Sequence, residues 1–502
     1  MNSSVTPVIS GFFPDPTICR VGEDFYLATS SFEYFPGAPI FRSRDLLQWE
    51  QIGNILTRRT QFALGDGRAS GGIFGSTLRH HDGEFWFVTT NMSDFGGGHL
   101  LFRAEDPAGP WSEPQQIAGT LGIDPDIAWD RDGTCYLTWV GFGPGEDASG
   151  IVQARLDPST GELLESPRKL WQGSGLAYPE GPHLYSADGW WYLMLAEGGT
   201  DRGHVVSVSR GTSPSGPFEP CPRNPVFTHR SLDTPVHNAG HADLVEGADG
   251  TWAAVYLAVR SRGSTPGYHV LGRETFLAGI TWEDGWPRFD DDRYPVPTAD
   301  TSFTDDFTSP ELHPRWISPG DEPASFTGPA GPGSPGVPGG LVLTANGQEE
   351  SPLLATRIRD EAWTGTATVS SVEGTAGLIL RIDESHWYAV RIDGEIVRAL
   401  ARIGPLEQEV ATAQRRGAGP LQLEISAFPS AEQPGVNSGP DDVVLGFREA
   451  GQFRELARLD GRYLSTEVAG GFTGRVIGVS AGGGRTVLER FEYRPTDHGT
   501  PR

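Results

Sequence analysis

The chain has little positive charge, and nearly all of it is arginine. Its 502 residues contain 39 Lys plus Arg against 65 Asp plus Glu, a formal net charge of -26, and Lys169 is the only lysine. Because a surface of this sign repels polyanions, we expect no nucleic acid and no anionic membrane among its partners. The sequence also lacks an apolar run long enough to cross a bilayer, so we expect no membrane-spanning helix.

Cysteine is also scarce, with three residues in the chain. Cys19, Cys135 and Cys221 form no disulfide framework, and no CxxC pair predicts a metal site. The first residues, MNSSVTPVISGFFPDP, lack the basic start and apolar stretch of a signal peptide. We therefore expect a cytoplasmic protein. The sequence leaves open whether it forms a homo-oligomer.

Long amphipathic helical patterns are absent as well. With 67 Gly and 40 Pro, the apolar residues fall into short alternating runs between turn signals. This pattern is typical of an all-β protein.

The first 300 residues contain an internal repeat. A turn, a mostly aromatic pair and an apolar strand recur in GEDFYLATS, DGEFWFVTT, DGTCYLTWV, DGWWYLMLA and DGTWAAVYL. Each segment precedes a second related strand, and the Asp-Gly turns indicate hairpins. Five such antiparallel units predict a five-bladed β-propeller over residues 1–297, because radial closure limits exposed strand edges.

The innermost strand of each predicted blade precedes the repeated turn. Counting back eleven residues from each aromatic pair, or ten in the first and shorter repeat, gives equivalent positions at Asp15, Phe74, Asp124, Glu180 and His241. Three carboxylates thus converge on one channel. Because like charges repel and their burial is costly, this placement indicates a functional site.

Carboxylates facing each other across a pocket can hydrolyse a glycosidic bond. One protonates the leaving oxygen, and another activates a water on the opposite face of the sugar. A third carboxylate near the acid would raise its pKa by repulsion. Asp126, two residues beyond Asp124 on the same strand face, is a weaker candidate than these three.

Six motifs follow one another in order across residues 5 to 297: PVISGFFPDPTI, SSFEYFPGAPIFRSRDLLQW, GIDPDIAWDRDG, EGPHLY, GHADLVE and LGRETFLAGITWEDGWP. In these motifs the chain resembles glycoside hydrolase family 43, in particular its inverting β-xylosidases and α-L-arabinofuranosidases. The resemblance implies that Asp15 is the general base, that Glu180 is the general acid, and that Asp124 orients the acid and tunes its pKa.

The same resemblance implies a set of substrate-binding residues. His241 and Arg273 match positions near the bound sugar, and Phe32 matches an aromatic residue that lines the site of the non-reducing-end sugar. Phe74 supplies an aromatic wall, although GGIFGST stands where many relatives read Gly-Gly-Ile-Trp-Ala-Pro. We expect no required cofactor. A structural cation such as calcium near His241 is compatible with the resemblance, but the sequence has no dedicated calcium loop.

A second domain is predicted for residues 303–498. A linker near residues 295–302 and the turn-rich loop GPAGPGSPGVPGG precede eight alternating segments. These segments are GLVLTA, TATVSSV, AGLILRI, WYAVRI, LQLEIS, DVVLGF, RVIGVSA and TVLERFEY. Their spacing predicts a two-sheet sandwich, and the resemblance implies a concanavalin-like one that closes the pocket.

The sequence therefore predicts an exo-acting, inverting hydrolase that releases xylose from the non-reducing ends of xylo-oligosaccharides. The main alternative is an α-L-arabinofuranosidase, or a bifunctional enzyme acting on arabinosyl substrates as well. A non-catalytic carbohydrate-binding protein would not need an acid–base pair. A glycan phosphorylase would need a basic cluster where the predicted inner positions are acidic.

Overall fold

A computed structural model of the chain describes residues 6–65, 67–145, 148–330, 339–345, 352–370, 372–417, 419–430 and 437–496. The chain divides into two compact units. The first contains residues 1–65, 71–260 and 273–298, and the second contains residues 66–70, 261–272 and 299–502. Two short segments of the range predicted for the first domain thus group with the second unit. The predicted boundaries, 1–297 and 303–498, stay a prediction.

Asp-Gly turns connect strands in the first unit as the sequence predicted. Asp82 and Asp188 have φ angles of 51° and 49°, and the glycines after them, Gly83 and Gly189, have φ angles of 84° and 80°. Two consecutive positive φ values are the geometry of the tightest hairpin turns, which match the twist of the strands.

The first unit contains five antiparallel sheets in chain order. The strands of the first two are β1 (Thr17–Val21), β2 (Asp24–Ala28), β4 (Gly37–Ser43), β5 (Glu50–Leu56), β6 (Ile73–His81), β7 (Glu84–Asn91), β8 (His99–Ala104) and β9 (Gln115–Ile117), and the two-residue strand β3 (Tyr34–Phe35) belongs to neither. The third has β10 (Gly122–Trp129), β11 (Cys135–Phe142), β12 (Ser149–Asp157), β13 (Glu162–Leu163) and β14 (Arg168–Trp171). The fourth and fifth have β15 (Glu180–Ala187), β16 (Trp190–Glu197), β17 (Val205–Gly211), β18 (Glu219–Pro220), β19 (Val236–Glu246), β20 (Trp252–Arg260), β21 (Glu274–Glu283) and β22 (Trp286–Asp290).

The sheet orders are β1-β2-β4-β5, β6-β7-β8-β9, β10-β11-β12-β13 with β14 beside β12, β15-β16-β17-β18 and β19-β20-β21-β22. The first strand of each sheet contacts the first strand of the next, and β19 of the fifth sheet contacts β1 of the first. The five first strands therefore form a closed ring.

The repeated aromatic pair fills the spaces between neighbouring sheets. On β7, Phe85 and Phe87 pack towards the first sheet, whereas Trp86 and Val88 pack towards the third. Successive side chains of a strand point to opposite faces, so two adjacent large residues serve two different cores. Five buried clusters of this kind lie between consecutive sheets, including the fifth and the first.

The second unit contains two antiparallel sheets. Its strands are β23 (Phe303–Asp305), β24 (Ser318–Pro319), β25 (Thr327–Pro329), β26 (Leu341–Thr344), β27 (Leu353–Arg357), β28 (Trp363–Ser370), β29 (Thr375–Arg381), β30 (His386–Asp393), β31 (Ile396–Ile403), β32 (Leu406–Gln414), β33 (Leu421–Pro429), β34 (Asp441–Glu449), β35 (Gln452–Asp460), β36 (Val476–Gly482) and β37 (Arg485–Pro495). One sheet runs β25-β26-β37-β28-β33-β34-β35 with β23 beside β37, and the other runs β27-β36-β29-β30-β31-β32. Leu378 of the second and Leu423 of the first share one buried core.

Each of the eight predicted segments of the second domain overlaps a strand of this unit. Residues 295–302, predicted as a linker, carry neither helix nor strand. Most of the predicted GPAGPGSPGVPGG loop, residues 331–338, lies outside the described residues.

Among the described residues, helix is confined to short segments. The structure has the α-helices α1 (Pro323–Phe326) and α2 (Thr466–Ala469), and the 3₁₀ segments Met92–Gly97 and Gly461–Leu464. In the part of the chain that the structure describes, no helix is long and apolar enough to span a membrane. The prediction of an all-β protein is confirmed.

Candidate active site

The first strands of four sheets share an irregularity at one level. Their regular pairing with the second strand breaks between Ile73 and Ser76, Ile123 and Asp126, Glu180 and His183, and Gly240 and Asp243. The first residues within these breaks are Phe74, Asp124, Gly181 and His241. The backbone φ is 53° at Asp124, 55° at Gly181 and 48° at His241, and it is 53° at Asp15, just before β1. A left-handed φ is rare outside glycine, so its recurrence on β10, β15 and β19 and just before β1 marks one equivalent position in four of the sheets.

This register corrects the position expected for Glu180. Sequence counting placed Glu180 level with Asp124, but Gly181 takes that position, and Glu180 lies one residue earlier, opposite Ala196. The cause is a shorter hairpin. Ser186 pairs with Trp191, five residues on, whereas Trp129 of the third sheet pairs with Cys135, six residues on. As a result the Glu180 side chain is 24% exposed, against 5% for Asp15.

Asp15 is a buried carboxylate held by a guanidinium group. Arg273 Nη1 donates to Asp15 Oδ1 over 2.9 Å, and its Nη2 lies 3.5 Å from Asp15 Oδ2. His241 Nδ1 lies 3.5 Å from Asp15 Oδ1. Burial disfavours the charged carboxylate, but Arg273, followed by His241, outweighs burial and holds the pKa of Asp15 below its ordinary value. Asp15 is therefore ionised at neutral pH.

Asp124 is fixed by the glycine that follows Glu180. The Gly181 amide donates to Asp124 Oδ2 over 3.1 Å. A side chain at Gly75 would place its Cβ 2.4 Å from Asp124 Oδ1, and one at Gly181 would place its Cβ 2.9 Å from the His241 ring. The two glycines thus let Asp124 and His241 approach the neighbouring strands. Burial, and also repulsion from Asp15, raises the pKa of Asp124, although His241 opposes this.

The pKa of Glu180 is shifted in the opposite direction from that of Asp15. Burial, followed by repulsion from Asp124 and then Asp15, raises the pKa of Glu180 to about 8, with Arg273 acting in the opposite direction. The carboxyl group of Glu180 therefore keeps its proton at neutral pH. Two groups that act on each other electrostatically are thus an ionised carboxylate and a protonated carboxylic acid, which is the combination that general base and general acid catalysis needs.

Aromatic side chains line the same region. The Phe32 and Phe74 rings meet edge to face, with centroids 5.0 Å apart, and Arg273 Cζ lies 5.6 Å from the centroid of Phe32. The structure therefore brings all seven residues selected from the sequence into one neighbourhood. Their catalytic and binding roles stay predictions.

Sequence reasoning missed two residues of this neighbourhood. Thr200 accepts a hydrogen bond from Arg273 Nη1 over 3.1 Å, and His204 Nε2 lies 3.9 Å from Glu180 Oε1. Both belong to the segment GGTDRGH between β16 and β17. The internal repeat could not reveal them, because it aligned strands and not the loops between them.

Asp126, the weaker candidate, belongs to a separate buried cluster. Arg79 Nη2 donates to Asp126 Oδ1 over 3.1 Å, and Arg79 Nη1 donates to Asp243 Oδ2 over 2.8 Å. His183 Nδ1 lies 3.1 Å from Asp126 Oδ1. Both carboxylates are fully buried, and each forms an ion pair with Arg79. We therefore assign Asp126 a structural role.

The described residues contain no group of three or more His, Cys, Asp or Glu side chains that could hold a metal ion. Near His241, Arg273 already neutralises Asp15. In the neighbouring cluster, Asp126 and Asp243 both form ion pairs with Arg79. These carboxylates do not fit a cation site, so we assign no ligands to the predicted calcium ion, which stays a prediction.

Comparison with known families gives two matches along the chain. The family described as "Glycosyl hydrolases family 43" matches residues 5–287, and "Beta xylosidase C-terminal Concanavalin A-like domain" matches residues 304–487. The second match agrees with the two-sheet unit.

Two curated proteins represent the relatives. A "Xylosidase/arabinosidase" of Butyrivibrio fibrisolvens is 49% identical over 293 residues, which are 56% of this chain and 55% of the relative. A non-reducing end alpha-L-arabinofuranosidase of Bacteroides ovatus is 37% identical over 507 residues, which cover 95% of this chain and 91% of the relative. The chain thus spans just over half the length of the first relative and nearly all of the second.

Solved structures agree with these matches. The GH43B protein of a Bacteroides ovatus xyloglucan locus has a TM-score of 0.86 at 34% identity, covering 98% of this chain and 99% of that one. A xylan beta-1,4-xylosidase of Bacillus halodurans has a TM-score of 0.85 at 26% identity, covering 98% of this chain and all of that one. The chain belongs to glycosyl hydrolase family 43.

Proposed function

We propose that the protein is an exo-acting, inverting β-1,4-xylosidase that releases single xylose units from the non-reducing ends of xylo-oligosaccharides. The observation that carries this proposal is the contrast between Asp15, which Arg273 keeps ionised, and Glu180, whose pKa burial and Asp124 raise to about 8. We further propose that the five sheets are the blades of a β-propeller, with this site at one end of the ring of first strands.

In the proposed reaction a water molecule attacks the anomeric carbon while the glycosidic bond breaks. Asp15 accepts a proton from this water, and the remaining hydroxide oxygen bonds to the anomeric carbon. Glu180 donates its proton to the departing glycosidic oxygen. Attack from the face opposite the leaving group inverts the anomeric configuration. Proton exchange with solvent then restores ionised Asp15 and protonated Glu180.

The neighbouring residues support these two roles. Asp124 keeps Glu180 protonated by repulsion and is itself held by the Gly181 amide. In the proposal, Arg273 and His241 bind hydroxyl groups of the terminal sugar, and Phe32 and Phe74 pack against its ring. The reaction needs no cofactor in this scheme.

A second candidate activity is that of an α-L-arabinofuranosidase. The relative that aligns with nearly the whole chain carries that name, and the relative from Butyrivibrio is named for both sugars. The segment GGIFGST also departs from the family sequence beside the aromatic wall. The same acid and base would hydrolyse either pentoside. These observations therefore bear on which sugar the enzyme removes and not on the reaction mechanism.

The deciding experiment measures kcat/KM for 4-nitrophenyl β-D-xylopyranoside and 4-nitrophenyl α-L-arabinofuranoside side by side. An Asp15→Ala preparation, which lacks the proposed base, controls for contaminating glycosidases. We expect the xyloside to be preferred, and we expect xylotetraose labelled at its reducing end to give unlabelled xylose and labelled xylotriose first. A preference for the arabinofuranoside would establish the second candidate, and hydrolysis of neither compound would contradict both.

A further inference from the structure

His204 has an unusual environment beside Glu180. It directly precedes β17, and its side chain is fully buried. Its Nδ1 lies 2.9 Å from the backbone oxygen of Asn238. Because a carbonyl oxygen can only accept, Nδ1 carries the hydrogen, and the Nε2 of the neutral ring is therefore an acceptor.

This acceptor has no donor among the described residues. His204 Nε2 is buried without a hydrogen-bond partner and lies 3.9 Å from Glu180 Oε1. Leaving a buried polar atom unpaired costs free energy, so such atoms in folded proteins call for an explanation. A protonated Glu180 would supply the missing donor.

The backbone of β19 is shaped around the imidazole ring. Asn238 has a φ of 59°, and the pairing of β19 with β20 is interrupted between His237 and Gly240. A Cβ at Gly240 would lie 2.5 Å from the His204 ring. A left-handed non-glycine residue is costly and persists where the surroundings enforce it. A strained residue, Asn238, and a position that has room only for glycine, Gly240, thus hold the His204 ring in place.

An ion pair between His204 and Glu180 does not explain the contact. Burial, followed among the charged neighbours by His241 and Arg273, lowers the pKa of His204 to about 4. The acidic groups that act electrostatically on the pair are Asp15 and Asp124. Glu197 lies opposite Val205, the residue after His204, and its carboxylate accepts from the Ser174 amide. At neutral pH the ring is uncharged.

We propose that His204 is a positioning residue for Glu180, its Nε2 accepting a hydrogen bond from the protonated Glu180 carboxyl in the substrate-free enzyme. The terminal torsion of a glutamate side chain is broad, so a modest rotation shortens the 3.9 Å separation. Contacts of catalytic groups are often long in the absence of substrate. When a sugar binds, the same torsion redirects the proton to the glycosidic oxygen.

This contact has a defined electrostatic effect. A hydrogen bond to the neutral form of a carboxyl group favours that form and so raises its pKa. Removing the acceptor should therefore lower the pKa of Glu180, and the acid should lose its proton at lower pH. The expected decrease is about 0.5–1 pH unit, the effect of one ordinary hydrogen bond.

The test variants are His204→Asn and His204→Gln. The asparagine amide can still donate to the Asn238 carbonyl but has no atom at the position of Nε2, whereas the glutamine amide reaches that position and can offer an oxygen acceptor. The readout is carbon NMR of the enzyme labelled at the glutamate carboxyl carbons, with the Glu180 signal assigned from Glu180→Gln. We expect a lowered pKa of Glu180 in His204→Asn and partial recovery in His204→Gln. An unchanged pKa in a folded His204→Asn would overturn the proposal.

A second measurement uses the wild-type protein, so that it does not depend on the folding of a variant at His204. Nitrogen NMR of histidine-labelled enzyme should show the His204 Nε2 signal shifting as Glu180 titrates near pH 8. A signal that stays constant through this range would contradict the contact. The signal can be assigned as the one displaced in Glu180→Leu and unaffected in Arg44→Ala, a surface control.

The proposal rests on the proposed role of Glu180 as the acid, but both NMR measurements are made without substrate. They therefore succeed or fail independently of which sugar the enzyme hydrolyses. On a hydrolysed pentoside, His204→Asn should shift the alkaline limb of kcat/KM to lower pH. A raised KM with an unchanged alkaline limb would instead mean that Nε2 receives a sugar hydroxyl, which would overturn the proposal.

Discussion

Arg273 Nη1 donates a hydrogen bond to Asp15 Oδ1 over 2.9 Å, although the two residues are 258 positions apart in the chain. The contact joins the start of the first sheet to the approach of β21 in the fifth. The permanently charged guanidinium of Arg273 therefore lies beside Asp15, one of three neighbouring carboxylates, and keeps it ionised. Glu180 lies 3.9 Å from the uncharged ring of His204, and burial and repulsion from Asp124 let it keep its proton.

Replacing Arg273 by methionine should raise the pKa of Asp15, because the largest charge that lowers it is removed. Asp15 must be ionised to accept a proton from water, so the acid limb of kcat/KM should move to higher pH. We expect activity at the optimum to fall roughly 10²-fold or more, as for loss of general base function. The pH dependence of kcat/KM tests this, and an unshifted acid limb would contradict the assignment of Asp15. Arg44→Ala, at an exposed ion pair with Asp24, is the control.

Glu180→Gln should impair substrates according to how much their leaving group needs a proton. We expect roughly a 10²–10⁴-fold loss on xylobiose or its arabinosyl counterpart and a much smaller loss on a dinitrophenyl glycoside. In the wild-type enzyme, activity should fall as the pH rises through about 8, where Glu180 loses its proton. Equal losses on both substrates would show that Glu180 does not act as the acid.

Gly181→Ala tests whether activity requires the close approach of the His241 ring to the backbone of Gly181. The added Cβ would meet the His241 ring at 2.9 Å on a backbone with φ of 55°. We expect kcat/KM to fall about tenfold or more, because His241 and the amide bound to Asp124 both shift. Gly83→Ala is the matched control, since its φ is 84° but nothing lies within 4 Å of the new Cβ. Similar activity losses in both variants would mean that the backbone conformation, and not the contact, is responsible.

Arg79→Met should destabilise the first unit without removing an active-site group. It would leave the buried carboxylates of Asp126 and Asp243 without their guanidinium partner. Breaking a buried pair on one side typically costs about 3–5 kcal/mol, whereas an exposed pair contributes about 0–1 kcal/mol. Urea unfolding of this variant beside Arg44→Ala measures the difference. Equal stability of the two variants would contradict the structural role assigned to the cluster.

Much of the fold was predictable because local chemistry determines it. Asp-Gly turns fixed the hairpins, and the aromatic pairs such as Phe85-Trp86 revealed the repeat because each member fills a different core between sheets. In the second unit the prediction missed the short strands β23, β24 and β25 and the longer strands β27, β31, β32 and β35. Strand β32, LEQEVATAQ, is almost entirely exposed, so it has little of the apolar alternation on which the prediction depended.

The sequence predicted which residues form the site, but it did not predict the strand register that positions Glu180. Counting residues could not detect that the turn after β15 is one residue shorter, which moves Glu180 one position from the level of Asp124. His204 and Thr200 lie in a loop outside the repeat, and their contacts with Glu180 and Arg273 arise only in the folded chain. Contacts of this kind depend on tertiary structure and leave no local pattern.

The central claim is that Asp15 activates water as a base while Glu180 supplies the proton to the leaving oxygen. Proton NMR of the sugar released in the first moments of hydrolysis tests this claim most directly, because the anomers can be distinguished before they interconvert. A β-xyloside should give α-xylose first, and if the arabinofuranoside is the substrate, the α-glycoside should give the β-anomer. Initial release of the anomer that matches the substrate would indicate a covalent intermediate and contradict the account.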